Sequence, residues 1–284
     1  MKLQIYQTFR RLTSYILHGI PIQTYSYTKP NIFYLASSQK LLNKKIVITG
    51  GGGGIGFAMA RKFKSEGAEI LIAGRSEEKL KKSADELGCD YLCLDVRNIS
   101  TFDDFIRNAY KKLNGLNCLV NNAGISLHED SFTSVSEEQY DSQFDVNLKG
   151  SFFLTQSFMK YSKERHIDET KNILFISSET GMTVDERPYG LTKVAMNSLV
   201  QGLAHKYVND KFRINAIAPG VTVTDMIGIK AYDDLTCDYN ITKRYYLPEE
   251  VAEVACFLLS DVSNCLNGQI LVCNEGKTIN ARWR

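Results

Sequence analysis

Proline is scarce, five residues in 284, and no apolar run approaches the roughly 18 residues that a membrane-spanning helix needs. Helical membrane spans are therefore excluded, and the composition leaves no room for a collagen-like or wholly disordered chain. An excess of one charge is missing as well. The 34 Lys+Arg and 32 Asp+Glu leave +2, without the strongly basic footprint of a nucleic-acid binder. No C-x-x-C occurs among the seven cysteines (Cys89, Cys93, Cys118, Cys237, Cys256, Cys265 and Cys273), and their number is odd. That argues against a disulfide scaffold and for free, largely buried thiols in a reducing cytoplasm. His18, His128, His166 and His205 lack H-E-x-x-H or any comparable spacing, so no metal is expected. What remains is a chain with 44% hydrophobic residues and 20 glycines, long enough to bury a sizeable core.

Acid is absent from residues 1–45, which hold seven bases: Lys2, Arg10, Arg11, Lys29, Lys40, Lys44 and Lys45. With Tyr6, Tyr15, Tyr25, Tyr27 and Tyr34, and Pro21 and Pro30 interrupting any long helix, residues 1–43 read as a basic, tyrosine-rich arm. Three roles stay open for it: packing on the domain or a neighbouring subunit, peripheral contact with anionic lipid or an acidic partner, and an organelle presequence. Residues 44–284 form one domain. Short apolar runs at Ile46–Thr49, Ile70–Ala73, Tyr91–Leu94, Cys118–Val120, Ile173–Ser177, Ile214–Ala218 and Ile270–Cys273 predict strands. Helical spacing falls between them at Phe57–Lys64, Glu77–Leu87, Phe102–Leu113, Ser136–Lys163, Tyr189–Val208 and Glu249–Leu259. Strand and helix in alternation predict an α/β fold, a doubly wound parallel sheet of the Rossmann type covered on both faces.

The first strand runs into Thr49-Gly50-Gly51-Gly52-Gly53-Gly54-Ile55-Gly56 and then a helix. Such a run can be a mere flexible loop. Between strand and helix it suits a pyrophosphate, because glycine lets the backbone approach and the helix N-terminus offers free N–H groups. The second strand ends in Gly74-Arg75-Ser76, without the acid that usually takes a ribose 2′-OH. Arg75 can fork onto a 2′-phosphate and Ser76 can donate to it, which favours NADP(H) over NAD(H). The plainer alternative makes Arg75 a surface charge and Ser76 a helix cap.

Tyr189 and Lys193 lie four apart at the start of a helical stretch, one turn from each other on one face. A nearby ammonium lowers a phenol's pKa, and three units would require about 4 kcal/mol of differential interaction. Such a tyrosine can act as general acid or base. The preceding strand closes with Ser177-Ser178 at the edge where ligands of open α/β sheets bind, and a serine there can hold a developing oxyanion.

Together with Asp95-Val96, Asn121-Asn122-Ala123-Gly124, Asn147 and Pro219-Gly220, these motifs resemble the short-chain dehydrogenase/reductase family of the FabG-like core type, here with a basic N-terminal extension. The resemblance covers the chain from about residue 44 onward. It implies a catalytic set of Asn147 (holding a water that serves Lys193), Ser178, Tyr189 and Lys193. It implies cofactor contacts from Gly50, Gly53, Gly54, Ile55, Gly56, Arg75, Ser76, Asp95 and Val96. Further contacts would come from Asn122, Ala123, Gly124, Tyr189, Lys193, Pro219, Gly220, Val221 and Thr224. A small carbonyl or alcohol substrate and a homo-oligomer, dimer or tetramer, are implied as well. The sequence departs from the family pattern in three places. The Ser178–Tyr189 interval is short, Gly51–Gly53 lack a basic residue, and Val272-Cys273-Asn274-Glu275-Gly276 replaces Val-Asp-Gly-Gly.

Between Val221 and Leu247 a segment resembling the family's substrate loop carries Met226, Ile227, Ile229, Tyr232, Tyr239, Tyr245 and Tyr246. The expected reaction is hydride transfer between NADPH and a carbonyl. An enoyl reductase would have a longer Tyr-to-Lys interval, and a sugar-nucleotide epimerase a larger C-terminal region. The alternative of another class is a non-catalytic NADP(H) sensor or scaffold, which would have no need of Asn147, Ser178, Tyr189 and Lys193.

Overall fold

The computed structural model describes residues 39–165, 169–224, 226–228 and 234–279. Most of the basic arm, and Ile229 and Tyr232 of the loop, therefore lie outside the described residues. Seven strands form one parallel sheet in the order β3-β2-β1-β4-β5-β6-β7. They are β1 (Lys45–Thr49), β2 (Glu69–Gly74), β3 (Asp90–Cys93), β4 (Cys118–Asn121), β5 (Lys171–Ile176), β6 (Phe212–Pro219) and β7 (Ile270–Cys273). The helices are α1 (Gly54–Ser65), α2 (Glu77–Leu87), α3 (Phe102–Leu113), α4 (Glu137–Gln143), α5 (Ser151–Glu164), α6 (Pro188–Lys206) and α7 (Pro248–Leu259).

Strand periodicity divides the interior in two. Val47, Leu71, Leu119, Phe175 and Ala216 point to one face, where Phe105 and Ile106 of α3, Leu154 and Phe158 of α5, and Met196 and Val200 of α6 cover them. Their neighbours Ile46, Ile48, Ile72, Val120, Leu174 and Ile217 point to the other, against Met59 and Phe63 of α1, Leu80 of α2 and Val251 and Ala255 of α7. Strands sandwiched this way bury both faces, which is why their central stretches read as near-continuous apolar runs rather than alternating ones, with Lys171, Asn172, Arg213 and Asn215 as buried polar exceptions near the strand starts. Leu41, just ahead of β1, is already fully buried in the second core.

Element ends follow local chemistry. Ser76 caps α2, accepting from the Lys79 amide, and Gly88 ends that helix at φ 61°. Ser136 and Gln139 close a reciprocal capping box on α4. The single helix predicted over Ser136–Lys163 is instead α4, a π-helical stretch at Phe144–Gly150, and α5. Beyond β6, Val223, Leu235 and Leu247 gather into a small core of their own, with Tyr245 against it. No helix among the described residues is long and apolar enough to cross a membrane. Because β2 and β4 flank β1, the chain reverses direction across the sheet there, leaving a crevice at the strands' carboxyl ends.

Candidate active site

The glycine loop is held from below by β4. The Thr49 hydroxyl accepts from the backbone amides of Asn122 (3.0 Å) and Ala123 (3.1 Å) and itself donates to the Val120 carbonyl. The Asn122 amide group donates to the carbonyls of Thr49 (2.9 Å) and Gly50 (3.2 Å). Gly50 turns at φ 67°, and a Cβ on Gly56 would fall 2.3 Å from the Gly50 carbonyl oxygen. Only glycine permits that approach. Helix α1 then starts after Gly53 with no side-chain cap and no acid in its first turn. Its leading N–H groups and positive dipole end are thus free for an anion, with Gly54 and half-buried Ile55 at their head.

A crevice of about 150 Å³ opens beside this loop, lined by Gly50, Arg75, Asp95, Val96, Ala123 and Gly124 together with Thr49, Gly74, Leu94 and Ile125. The Arg75 side chain is exposed and makes no ion pair among the described residues. Ser76 takes the helix-capping role that its sequence context also allowed. Asp95 is gripped by Arg97: the guanidinium Nη2 lies 2.6 Å from Oδ2 and Nε 3.0 Å from Oδ1. That hydrogen bonding holds the Asp95 carboxyl below its ordinary range against the opposing effect of burial.

Ser178, Tyr189, Lys193 and Asn147 converge at the carboxyl ends of β4 and β5. Pro188 occupies the first turn of α6, where proline costs no hydrogen bond, and so fixes the start of the helix carrying Tyr189 and Lys193. The Lys193 ammonium lies 5.4 Å from the Tyr189 ring centre and donates to the Ile176 carbonyl at 2.9 Å. It is 4% exposed, and burial lowers its pKa to about 8. Tyr189 is half-buried, with its phenol beside Ser178. Burial raises the phenol's pKa, Ser178 opposes that, and the Glu179 carboxylate adds to it. The lowering expected from the helical spacing is therefore not what the geometry gives. Desolvation is the largest influence on the phenol, which stays protonated through neutral pH.

Fully buried Asn147 sits in the π-helical stretch. Its Oδ1 accepts from the Ile125 amide (2.8 Å), and its Nδ2 donates to the Ile125 carbonyl (2.9 Å) and to Thr192 Oγ1 (3.3 Å). It thereby fixes the backbone after Gly124, where an added Cβ would lie 3.3 Å from Asn147 Oδ1 and 3.8 Å from Lys193 Nζ. Ser177, by contrast, turns away and donates to Asn197 on α6 at 2.7 Å.

Opposite, Pro219 ends β6, Gly220 donates to the Cys273 carbonyl, and the Val221 carbonyl accepts from Tyr246. Thr224 closes on the glycine loop: a Cβ on Gly54 would meet its Cγ2 at 3.1 Å. The predicted residues thus form a crevice group and a reacting group, with Gly124 between them and Thr224 reaching back from the loop. Thr49 was read only as the first residue of the glycine motif, without a role of its own, and Glu179 escaped the sequence reading because it looked like an ordinary acid in the first turn after Ser178.

A family model described as enoyl-(acyl carrier protein) reductase matches residues 51–278. An uncharacterised oxidoreductase of Mycobacterium bovis is 32% identical over 247 residues, covering 84% of this chain and 99% of the relative. Oxidoreductase UcpA of Salmonella typhimurium is 33% identical over 258 residues, with 84% and 96% covered. The crystal structure of a short chain dehydrogenase from Bacillus anthracis superposes with a TM-score of 0.76 at 25% identity, covering 87% of this chain and 100% of that one.

Proposed function

The chain belongs to the short-chain dehydrogenase/reductase family of oxidoreductases, and from that premise we propose that it reduces a small carbonyl substrate with NADPH, Tyr189 serving as the general acid. The observation that carries this reading is the contact of Ser178, Tyr189 and Lys193 at the sheet's carboxyl edge. The uncapped start of α1 fits the pyrophosphate of a nicotinamide dinucleotide, and the crevice at Arg75 and Asp95 fits its adenosine half. The exposed Arg75 guanidinium, without an ion pair among the described residues, supports a 2′-phosphate, hence NADP(H) rather than NAD(H). A bound nicotinamide supplies the hydride. Ser178 donates a hydrogen bond to the substrate oxygen, and Tyr189 gives that oxygen its proton. Lys193, still mostly protonated below about pH 8, supports the phenolate left behind. Asn147 holds the Gly124–Ile125 backbone at the cofactor's edge. Pro219, Gly220, Val221 and Thr224 would flank the nicotinamide.

Tyr189 and Lys193, one helical turn apart, favour carbonyl over enoyl reduction as the substrate class. Turnover with a panel of ketones and enoyl thioesters tests this. Tyr189→Phe should cost about 10²–10⁴-fold in kcat on ketones while leaving NADPH binding intact. If wild type binds NADPH and turns over nothing in the panel, the chain is a sensor or scaffold instead. Arg75→Ala should weaken NADPH about tenfold or more and NADH little, and equal losses would reject the cofactor assignment. Assembly as a dimer or tetramer is proposed from the family and is read by the solution mass.

A further inference from the structure

The altered C-terminal motif grips both walls of the reacting group. Glu179, 4% exposed and adjacent to Ser178, has both carboxylate oxygens taken by residues beyond β7: Lys277 Nζ at 2.8 Å on Oε1 and Asn274 Nδ2 at 3.0 Å on Oε2. Ser178 itself opens the short turn that contains Glu179, accepting from the Thr180 amide. Lys277 also sits over the Tyr239 ring of the substrate loop, 3.1 Å from its centre. Next to it Glu275 binds Arg244 Nη2 at 2.9 Å and also accepts from Thr242 and Tyr246. One four-residue stretch therefore ties the loop to the turn bearing Ser178.

We propose that Lys277 is a positioning residue for the reacting pair, holding Glu179 and the Ser178 turn in register and neutralising a carboxylate that would otherwise face Tyr189 unopposed. This rests on the reading of Tyr189 as the proton donor. Among the described residues, the charged groups around the phenol are few. Lys193 comes from α6, Glu179 from the turn after β5 and its partner Lys277 from beyond β7, while Asp185 and Arg187 precede α6 and pair with each other at 3.1 Å. Glu275 lies on the loop side, matched by Arg244. Removing the Lys277 charge leaves Glu179 as the uncompensated member, and a bare carboxylate opposes formation of the phenolate. An arginine at 277 can restore the charge. Removing both partners leaves neither stranded.

The test follows the Tyr189 phenol by NMR in cofactor-free protein labelled at the tyrosine Cζ, its signal assigned by loss in Tyr189→Phe. Lys277→Met should move the phenol's titration upward, Glu179→Gln should move it downward, and Lys277→Arg should restore it. The double variant Glu179→Gln/Lys277→Met should titrate nearer to wild type than Lys277→Met does. In parallel, Lys277→Met should lower kcat on a reduced ketone roughly three- to tenfold with KM for NADPH unchanged. An unmoved titration in Lys277→Met, or a double variant that titrates with Lys277→Met, overturns the proposal. The phenol readout needs no turnover. Shifts as expected in a protein that reduces no ketone would sink the proposed function and leave only the electrostatic coupling of Lys277 and Glu179 to the phenol, and normal turnover with unmoved titrations would do the reverse. If Lys277→Met is poorly folded, the double variant against Glu179→Gln decides, because a purely structural Lys277 would make the double variant worse in both stability and rate.

Discussion

At the scale of single residues, Lys193 shows function set against stability. Its pKa falls from 10.5 to about 8 because the native state buries the ammonium with one carbonyl as its hydrogen-bond partner. A lysine depressed this far binds fewer protons folded than unfolded between about pH 8 and 10.5, so its contribution to stability improves as pH rises through that window. Below about pH 8 the full cost applies, about 3 kcal/mol for a shift of this size. Lys193→Met, similar in volume and uncharged, should therefore stabilise the cofactor-free protein at pH 7 by about 1–3 kcal/mol while abolishing turnover. Urea melts at pH 7 and pH 9.5 would show it, the gain shrinking at the higher pH. A variant less stable than wild type at pH 7 would mean that the Ile176 hydrogen bond outweighs the desolvation. The same group predicts the rate profile. The kcat/KM for ketone reduction should hold steady through neutrality and fall above about pH 8 as Lys193 loses its proton, since that ratio reports the free enzyme. A profile flat to pH 9.5 would remove Lys193 from the proton path.

Among the elements, the π-helical stretch at Phe144–Gly150 shows what a sequence pattern can and cannot disclose. All seven strands were legible because parallel strands covered on both faces carry short, largely apolar runs, and five of the six helical stretches appear as single helices where the 3.6-residue spacing put them. The stretch Ser136–Lys163 carried the same spacing, and nothing in it announced the wider turn that divides it. That turn is set by contacts distant in sequence. Asn147 reaches the Ile125 backbone and Gly150 lies where a Cβ would strike the Val96 carbonyl at 2.4 Å, while Ser151 adds only local bonds to the carbonyls of Asn147 and Leu148 at 2.9 Å each. The residues of the candidate site could be named from the sequence, but the hydrogen bonds of the Asn122 and Asn147 side chains to backbone remote in sequence could not. Asn147→Ala leaves the half-buried Ile125 amide and carbonyl without their partner, at about 1–3 kcal/mol for each orphaned group. The expected outcome is a loss of about 2–4 kcal/mol in urea melts, with faster deuterium exchange at Ile125 than at strand amides of β4. A loss under 0.5 kcal/mol would show that the stretch refolds into a regular helix without its asparagine.

For the molecule as a whole, the cysteines report on how its parts hold together. Sequence context favoured burial for most of the seven, but Cys93 and Cys265 are exposed, one at the end of edge strand β3 and the other in the turn before β7. Cys118 and Cys256 are buried in the core shared by α1, α2 and α7, and Cys89 and Cys273 pack against it. Desolvation raises the thiol pKa to about 12 at Cys118 and about 11 at Cys89, Cys256 and Cys273, so none of the four offers a thiolate while the sheet is intact. Cys237 belongs instead to the loop beyond β6, buried beside the small core of Val223, Leu235 and Leu247. So small a core stabilises its segment far less than the two that clamp the sheet, which makes the loop the part that opens at least cost. Three tiers of reactivity toward a disulfide reagent follow. Cys93 and Cys265 should react at once in native protein, and Cys237 at sub-denaturing urea. Cys89, Cys118, Cys256 and Cys273 should react together, only as the helical circular dichroism is lost. Mass spectrometry of the labelled peptides separates the tiers. Reaction of Cys256 ahead of Cys118 would show α7 detaching before the sheet opens, and Cys237 reacting with the last four would mean that the loop is locked to the domain as firmly as the domain is to itself.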